Sequence, residues 1–183
     1  MPNLKNIPTS ILFLLLLCSL YINNANGQNL LWCRSMGGPG NDLGNSEAVD
    51  KAGNVYTTGM FEQTADFDPG PGIHNLVSEG DFDIFVVKLD ASGKFVWAKR
   101  FGGFGSDRGL AITTDNAGNV YFTGFYTGVV DFDPGSGNGI LSSTGSRNNV
   151  FVCKLDSSGS FIWAEGLAGA GSGSGYTINT DDS

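Results

Sequence analysis

Two copies of the sequence D-F-D-P-G, at residues 66–70 and 131–135, carry the carboxylates best placed to do chemistry. The first copy contains Asp66 and Asp68, and the second contains Asp131 and Asp133. Because side chains alternate along an extended segment, the two carboxylates of each copy can face the same side. Carboxylate oxygens and nearby backbone carbonyls suit Ca²⁺, which takes about six to eight oxygen ligands. The favoured interpretation of both copies is an Asx turn in which the aspartate caps its own backbone, and a calcium site at these four aspartates is the alternative.

The other reactive side chains do not form a catalytic pattern. The single histidine, His74, has no counterpart in the second copy of its surroundings, where Gly139 stands, and no serine lies in G-x-S-x-G spacing. The glycine-rich stretches 37–44 and 102–109 lack nucleotide-loop spacing and a following helix pattern. Because the carboxylates recur with the repeat, they favour a structural role. We therefore expect no enzymatic activity and no cofactor other than the calcium considered above.

Composition excludes further classes of ligand and of fold. Lys and Arg number 10 against 18 Asp and Glu, and this net charge of −8 disfavours a nucleic-acid partner, whose phosphates need clusters of Lys and Arg. With one His and three Cys, of which Cys18 lies in an apolar leader, a His/Cys zinc site cannot be assembled. Abundant Gly, Phe, Val and Thr, with little Glu, Lys and Ala, predicts short strands joined by tight turns.

The chain repeats itself with a period of about 65 residues, which is its strongest sequence signal. Trp32, Trp97 and Trp163 recur at this period, and the second interval is longer than the first by a single insertion. Their position inside a repeated apolar strand predicts a core between repeats, with glycan stacking as the alternative. The other repeated segments are DKAGNVY at 50–56 with DNAGNVY at 115–121, and FVVKLD at 85–90 with FVCKLD at 151–156.

Each repeat contains the same turn twice, in which an aspartate stands three positions before a glycine. A type I turn followed by a left-handed glycine is a common hairpin connection. Each repeat therefore predicts two hairpins, or four antiparallel strands, and the apolar runs IFVV and VFVC predict strands covered on both faces. Four such strands stacked on their neighbours describe one blade of a β-propeller. The turns are Asp50 to Gly53, Asp90 to Gly93, Asp115 to Gly118 and Asp156 to Gly159.

These motifs resemble the bacterial β-propeller repeat called SBBP, over residues 30–181. The resemblance rests on a Trp-ending strand, a Gly-Gly pair, a D-x-x-G-N-V-Y-x-T-G hairpin and an F-V-x-K-L-D-x-x-G-x-x-x-W hairpin. The D-F-D-P-G sequence is similar to a version found in secreted proteins of Bacteroidetes-like bacteria. The resemblance implies a secreted or surface-displayed propeller, usually without an assigned activity, and supplies no catalytic residues.

Residues 1–27 are predicted to be a secretory signal peptide. Lys5 precedes an apolar run, Ile11 to Ile22, which is shorter than the roughly 20 residues that a spanning helix needs. The segment Ala25-Asn26-Gly27 then provides a small-x-small cleavage site. We therefore expect a secreted or cell-surface protein without a membrane span after cleavage, with an uncleaved membrane anchor as the alternative. Cys33 and Cys153 are expected to be free and buried, with a disulfide as the alternative.

The repeat boundaries predict an incomplete propeller arc of about two full blades plus two partial ones. Residues 28–44 correspond to the last strand of a preceding partial blade and its crossover. Residues 45–101 and 102–167 form the two repeats, and residues 168–183 begin a third. Because a closed propeller needs about four blades or more, we expect this chain to be the N-terminal portion of a longer protein. Assembly with copies of itself or with a partner is the alternative.

The sequence therefore favours a non-catalytic structural or adhesin-like module that binds a glycan or a protein at the cell surface. Fold alone does not establish such a role. The competing interpretation is the propeller part of a secreted carbohydrate-active hydrolase or lyase whose catalytic residues lie outside this chain. Self-association is also expected, since unfinished blades expose unpaired strand edges.

Overall fold

The computed structural model describes residues 31–135, 137–143, 147–167 and 169–181. The predicted signal peptide, residues 1–27, lies outside these ranges. All regular structure within them is β, in 12 strands. No helix in the described ranges is long and apolar enough to cross a membrane.

The first blade contains a four-stranded antiparallel sheet and a small accessory hairpin. Its main strands occur in the spatial order β1-β2-β5-β6, so that each strand pairs with the next. The accessory strands β3 and β4 form a separate two-stranded sheet in the chain connection between β2 and β5. In chain order the six are β1 (Leu43–Val49), β2 (Val55–Phe61), β3 (Thr64–Asp66), β4 (Asn75–Val77), β5 (Asp83–Leu89) and β6 (Phe95–Phe101).

The second sheet repeats this arrangement, which confirms the predicted all-β architecture of four-stranded antiparallel blades. The main strands follow the order β7-β8-β11-β12, and β9 and β10 form a separate two-stranded sheet in the chain connection between β8 and β11. The sheets formed by the described residues do not close into a ring, as expected of an incomplete arc. The strands are β7 (Arg108–Thr114), β8 (Val120–Tyr126), β9 (Val129–Asp131), β10 (Ile140–Ser142), β11 (Asn149–Leu155) and β12 (Phe161–Leu167).

The four predicted turns are present, and each depends on a glycine in the left-handed region. The φ angles are +82° at Gly53, +75° at Gly93, +79° at Gly118 and +80° at Gly159. In the second of these turns the amide of Gly93 donates to the carbonyl of Asp90 at 2.8 Å, and the Asp90 carboxylate accepts the amide of Ser92 at 2.8 Å. The aspartate and the glycine therefore define the turn together.

Two apolar clusters lie on opposite faces of β5, which is buried along its whole length. Ile84 and Val86 belong to the cluster shared with the second blade, whereas Phe85 and Val87 belong to the cluster inside the first. The prediction that the IFVV run is covered on both faces is therefore confirmed. The same prediction for VFVC holds on one face only, because β11 alternates buried with half-buried residues.

The blades are joined by polar contacts as well as by the apolar core. Trp97 of β6 is 9 % exposed, and its indole Nε1 donates to the carbonyl of Ser157 in the second blade at 3.3 Å. The Lys88 ammonium donates to the same carbonyl at 2.9 Å. The Trp97 ring also lies over Gly159, where an added Cβ would come within 3.0 Å of it. At this joint, the expectation of a tryptophan core between repeats is confirmed.

Residues before β1 and after β12 lie against the two blades as single segments. Trp32 donates from Nε1 to the carbonyl of Ala91 at 3.1 Å, so it repeats the contact of Trp97 one blade earlier. After β12, the Gly175 amide donates to the carbonyl of Gly124 at 2.9 Å. Within the described residues, Cys33 and Cys153 form no disulfide. Cys153 is buried as expected, whereas Cys33 is exposed, so its predicted burial is wrong. Cys33 lies in the segment before β1, where the described residues form no strand that would cover its side chain.

Candidate functional site: paired grooves at the D-F-D-P-G hairpins

A groove of about 520 Å³ opens where the segment before β1 meets the β3–β4 hairpin. We call it the first groove. One wall contains the crossover glycines Gly37 and Gly38, and the opposite wall contains Asp66 and Asp68, with Asp42 between them. An antiparallel bridge between Gly37 and Asp66 holds the two walls together.

The second blade has an equivalent groove, of about 480 Å³, which we call the second groove. Its walls are again the crossover glycines, Gly102 and Gly103, and the aspartates of the second D-F-D-P-G copy, Asp131 and Asp133. A bridge between Gly102 and Asp131 repeats the one in the first blade. The repeat therefore presents the same concave surface in consecutive blades.

The local sequence explains how the aspartates reach the grooves. The phenylalanine between them is buried at 2 % exposure for Phe67 and 0 % for Phe132, which turns the flanking carboxylates outward. Phe67 packs against Phe85 with 4.8 Å between ring centroids, and Phe132 packs against Phe151 at 4.6 Å. The expected alternation of side chains along this segment is thus confirmed.

One oxygen of each of these four aspartates accepts backbone amides. Asp66 Oδ1 accepts the amides of Asp68 at 3.0 Å and His74 at 2.8 Å, and these two bonds are the main reason that its pKa is lowered. Asp68 Oδ1 accepts the amide of Gly70 at 2.8 Å. Asp131 and Asp133 make the corresponding bonds to Asp133, Gly139 and Gly135.

These bonds are those of the Asx turn, and they leave the calcium prediction open. The Oδ2 atoms of Asp66 and Asp131 accept no hydrogen bond from the described part of the chain and remain available to a ligand. In the same part of the chain, no three His, Cys, Asp or Glu side chains come together as a metal-binding group. A calcium ion would therefore rest on two carboxylates and backbone carbonyls.

Two further aspartates, which the sequence did not single out as site residues, hold the crossovers in place. Asp42 accepts the amide of Gly38 at 2.6 Å in the first groove. Asp107 accepts the amides of Gly103 at 2.9 Å and Thr127 at 2.8 Å beside the second groove. Asp107 is fully buried, and burial raises its pKa to about 6. Their separation by one repeat period is the signal that could have identified them.

The two grooves differ in charge. In the second groove, Arg100 forms ion pairs with Glu79 at 2.8 Å and with the buried Asp83 at 2.6 Å. Burial raises the pKa of the Asp83 carboxyl, while the Arg100 guanidinium opposes that rise. Phe104 also lines this groove and is 91 % exposed. The second groove thus adds an arginine and an aromatic ring to the acidic surface that both share.

The single histidine of the chain, His74, lies at the edge of the first hairpin. His74 is half-buried, with its ring 4.8 Å from that of Phe95. Its amide donates to Asp66, as the amide of Gly139 donates to Asp131, so the two positions correspond as the repeat predicted. In both blades, therefore, it is the backbone amide at this position that makes the conserved contact of the repeat, a hydrogen bond to the first aspartate of D-F-D-P-G.

The fold and the recurring grooves define a propeller-like β-repeat protein built from four-stranded blades. No family model matches the chain. It is 26 % identical over 114 residues to an uncharacterized WD repeat-containing protein of Acanthamoeba polyphaga mimivirus, which covers 54 % of this chain. It is 32 % identical over 113 residues to the regulatory protein FlaEY of Caulobacter vibrioides, which covers 60 % of it. The matches span only 8 % and 12 % of those proteins.

Proposed function

We propose that this chain is a secreted or surface-displayed propeller module of the SBBP type, which binds a glycan or protein ligand without catalysing a reaction. The observation that carries the proposal is the recurrence of one groove, with glycine and aspartate walls, in consecutive blades. A recurring concave surface suits a ligand that itself repeats, such as a polysaccharide or a glycosylated protein. The leader-like residues 1–27 support export.

The chemistry of the grooves supports a polar ligand. The outward carboxylate oxygens accept hydrogen bonds from hydroxyl groups, and the exposed ring of Phe104 offers a flat apolar surface on which a sugar can stack. The recurring aspartates of the hairpins and turns hold backbone amides, so they act as structural groups. This use of the carboxylates supports binding rather than hydrolysis.

The proposal can be tested with an oligosaccharide array and with a mucin glycoprotein before and after enzymatic removal of its glycans. We expect the labelled chain to bind, and we expect Asp68→Asn/Asp133→Asn and Phe104→Ala to weaken that binding. Each Asn retains an oxygen for the single amide that the aspartate accepts, so the turns are preserved while the charge is lost. Val49→Ala, at an exposed position of β1 away from both grooves, is the matched control.

Three outcomes would contradict the proposal. Absence of binding to every probe would remove the ligand-binding role. Binding that the groove variants leave unchanged would place the ligand elsewhere. Release of reducing sugar by the purified chain would favour the competing class, a carbohydrate-active hydrolase.

A further inference from the structure

The face of the second blade that points away from the first carries the residues that join blades elsewhere. We call it the open face and define it by five side chains of β11 and β12. Each lies one repeat after a side chain that the first blade buries against the second. The pairs are Ile84 with Val150, Val86 with Val152, Lys88 with Lys154, Trp97 with Trp163, and Phe101 with Leu167.

In the first blade, the five counterparts of these residues form the contact with the second blade. All five are at most 9 % exposed. The ammonium of Lys88 and the indole Nε1 of Trp97 converge on the carbonyl of Ser157, the second residue of the turn that runs from Asp156 to Gly159. Together they form a knob that fits a socket, a D-x-S-G turn whose glycine leaves room for the indole ring.

The socket of the first blade is used in the same way. Trp32 donates to the carbonyl of Ala91, which is the second residue of the turn from Asp90 to Gly93. A Cβ added at Gly93 would lie 2.7 Å from the Trp32 ring. The knob-and-socket contact therefore recurs with the repeat.

The open face has the knob without a socket among the described residues. Trp163 is 37 % exposed, against 9 % for Trp97, and Leu167 is 63 % exposed, against 0 % for Phe101. The Lys154 ammonium lies over the ring of Tyr121 and is 4.0 Å from the Asp115 carboxylate. The half-buried positions of β11, where a strand covered on both faces was expected, belong to this face.

We propose that the open face docks a further blade of the same repeat, which supplies a D-x-S-G hairpin with an apolar face. Its turn carbonyl accepts hydrogen bonds from Lys154 Nζ and Trp163 Nε1, and its turn glycine lies under the Trp163 ring. The apolar side chains of the partner's hairpin cover Val152 and Leu167. This inference does not depend on the proposed ligand-binding role of the grooves.

The segment after β12 supports the same occupant. An added Cβ at Gly175 would collide with the hydroxyl of Thr123, and one at Gly109 would collide with the hydroxyl of Thr58. Gly175 therefore lies on the second blade as Gly109 of β7 lies on the first, at the position of a next blade's inner strand. The docking hairpin, equivalent to β5 and β6, would belong to the same blade as that strand, with an equivalent of β2 between them.

A second copy of this chain fits less well than a separate blade. Both D-x-S-G turns in the described residues are already covered, at Gly93 by Trp32 and at Gly159 by Trp97. A second copy could offer a socket only by releasing one of these contacts. The partner is therefore a blade whose socket is free.

The proposal can be tested with a peptide of residues 82–102 of this chain, closed by a terminal disulfide because an isolated hairpin is only marginally stable. The peptide presents the D-A-S-G turn and the β5–β6 strands. Fluorescence anisotropy of the labelled peptide, titrated with the full chain, reports binding. We expect saturable binding, and we expect Gly93→Ala in the peptide to weaken it at least about tenfold.

Variants of the full chain then locate the binding surface. Trp163→Ala should weaken binding at least about tenfold, and Trp163→Phe, which keeps a ring but loses the N–H donor, should have an intermediate effect. Ile162→Ala is the matched control, because its counterpart Val96 remains 46 % exposed beside the covered Trp97. Circular dichroism and the thermal midpoint of each variant establish that it is folded. If Trp163→Ala does not fold, Trp163→Phe is used in its place.

The outcomes separate the possible occupants. No saturable binding up to about 1 mM peptide would overturn the proposal. Equal affinities for the parent chain and the folded Trp163 variants would do the same, as would an Ile162→Ala effect as large as theirs. Sedimentation of the chain alone supplies a further arm, in which self-association that Trp163→Ala abolishes would replace the separate blade with a second copy.

Discussion

At the residue scale, the carboxylates of this chain divide into two groups with opposite effects on stability. Those that accept backbone amides at turns, such as Asp66 and Asp90, have a lowered pKa, chiefly because of those hydrogen bonds and side-chain bonds from the same turns. Asp83 and Asp107 are buried, and burial raises the pKa of both. The first group stabilises the fold when it is ionised. In the second group burial disfavours the ionised form, so ionisation lowers the stability of the fold.

The buried aspartate predicts a decrease in stability as the pH rises above the acidic range. The pKa of Asp107 is about 6 in the folded protein and near 3.8 in an unfolded chain. The folded state therefore binds more protons between these values, so the free energy of unfolding falls as the pH rises, by about 2 kcal/mol between pH 4 and pH 7. Below about pH 4, protonation of the turn aspartates lowers stability again. Urea unfolding at several pH values measures both the decrease in stability above pH 4 and the decrease below it.

Asp107→Asn distinguishes the residue responsible. The variant should be less stable at every pH, because Asn offers one acceptor oxygen to the amides of Gly103 and Thr127. Its stability should nevertheless change less between pH 5 and pH 7 than that of the parent chain. If the unfolding free energy of Asp107→Asn changed with pH as steeply as that of the parent chain, Asp107 would not be the residue responsible.

The D-F-D-P-G aspartates predict a second residue-scale effect, a response to calcium. If Asp66 and Asp131 contribute ligands, excess CaCl₂ should raise the thermal midpoint above its value in EDTA, because an ion that binds only the folded state stabilises it. The shift should disappear in Asp66→Asn/Asp131→Asn. MgCl₂ at the same concentration is the control for ionic strength. Equal midpoints in EDTA and CaCl₂ would leave these segments as Asx turns.

At the scale of elements, the hairpin turns have two glycine environments that allow a matched comparison. Gly118 and Gly159 have nearly the same φ, +79° and +80°. A Cβ at Gly118 would meet only the Cβ of Ser157 at an ordinary 3.5 Å, whereas one at Gly159 would come within 3.0 Å of the Trp97 ring. We expect Gly118→Ala to cost about 1 kcal/mol from backbone strain alone.

Gly159→Ala should cost more than Gly118→Ala, because the added methyl group also displaces the Trp97 ring from the joint between blades. Urea unfolding of the two variants gives the difference directly, since the backbone contribution is shared. Equal costs would show that the indole ring does not depend on that glycine.

Much of each element could be predicted from the sequence, because its determinants are local. The turn from Asp90 to Gly93 follows from two residue types at fixed spacing. The β3–β4 and β9–β10 hairpins were not predicted, since such short strands carry too little periodicity to be recognised. The burial of β11 depends on what lies against its second face, which no pattern within the strand reveals.

The candidate site shows the same division between local and distant determinants. The outward carboxylates of Asp66 and Asp68 follow from alternation around Phe67. The bridge that sets Gly37 against Asp66 connects residues separated by the whole of β1 and β2, so the groove itself could not be read from either segment. Arg100 lines the second groove only because β6 leads into that crossover.

At the scale of the whole molecule, stability should depend on the joint between blades as well as on the blades themselves. In repeat proteins the free energy of unfolding is approximately the sum of the stabilities of the individual repeats and of the interfaces between neighbouring repeats. Trp97→Ala removes an indole that is 9 % exposed and packs at 6.1 Å from the Tyr56 ring, which predicts a loss of about 3 to 5 kcal/mol.

The same variant should also make unfolding less cooperative, with a lower dependence of the unfolding free energy on urea, because the blades can then unfold separately. Val96→Ala, at the exposed neighbouring position, is the control and should change stability by no more than about 0.5 kcal/mol. A single transition of unchanged steepness in Trp97→Ala would mean that the apolar cluster alone couples the blades.

The placement of the knob and the socket on one hairpin has a consequence for how such chains can change in length. Trp97 and the turn from Asp90 to Gly93 both belong to the β5–β6 hairpin, so a single copied repeat carries both halves of the joint. An in-frame gene duplication would therefore insert a unit that mates with its neighbours on either side without compensating mutations. Deletion of one unit would restore the original joint just as directly. Natural variants of this architecture should differ by whole units, and partial insertions should be confined to loops such as the one between β10 and β11, which is one residue longer than its counterpart between β4 and β5.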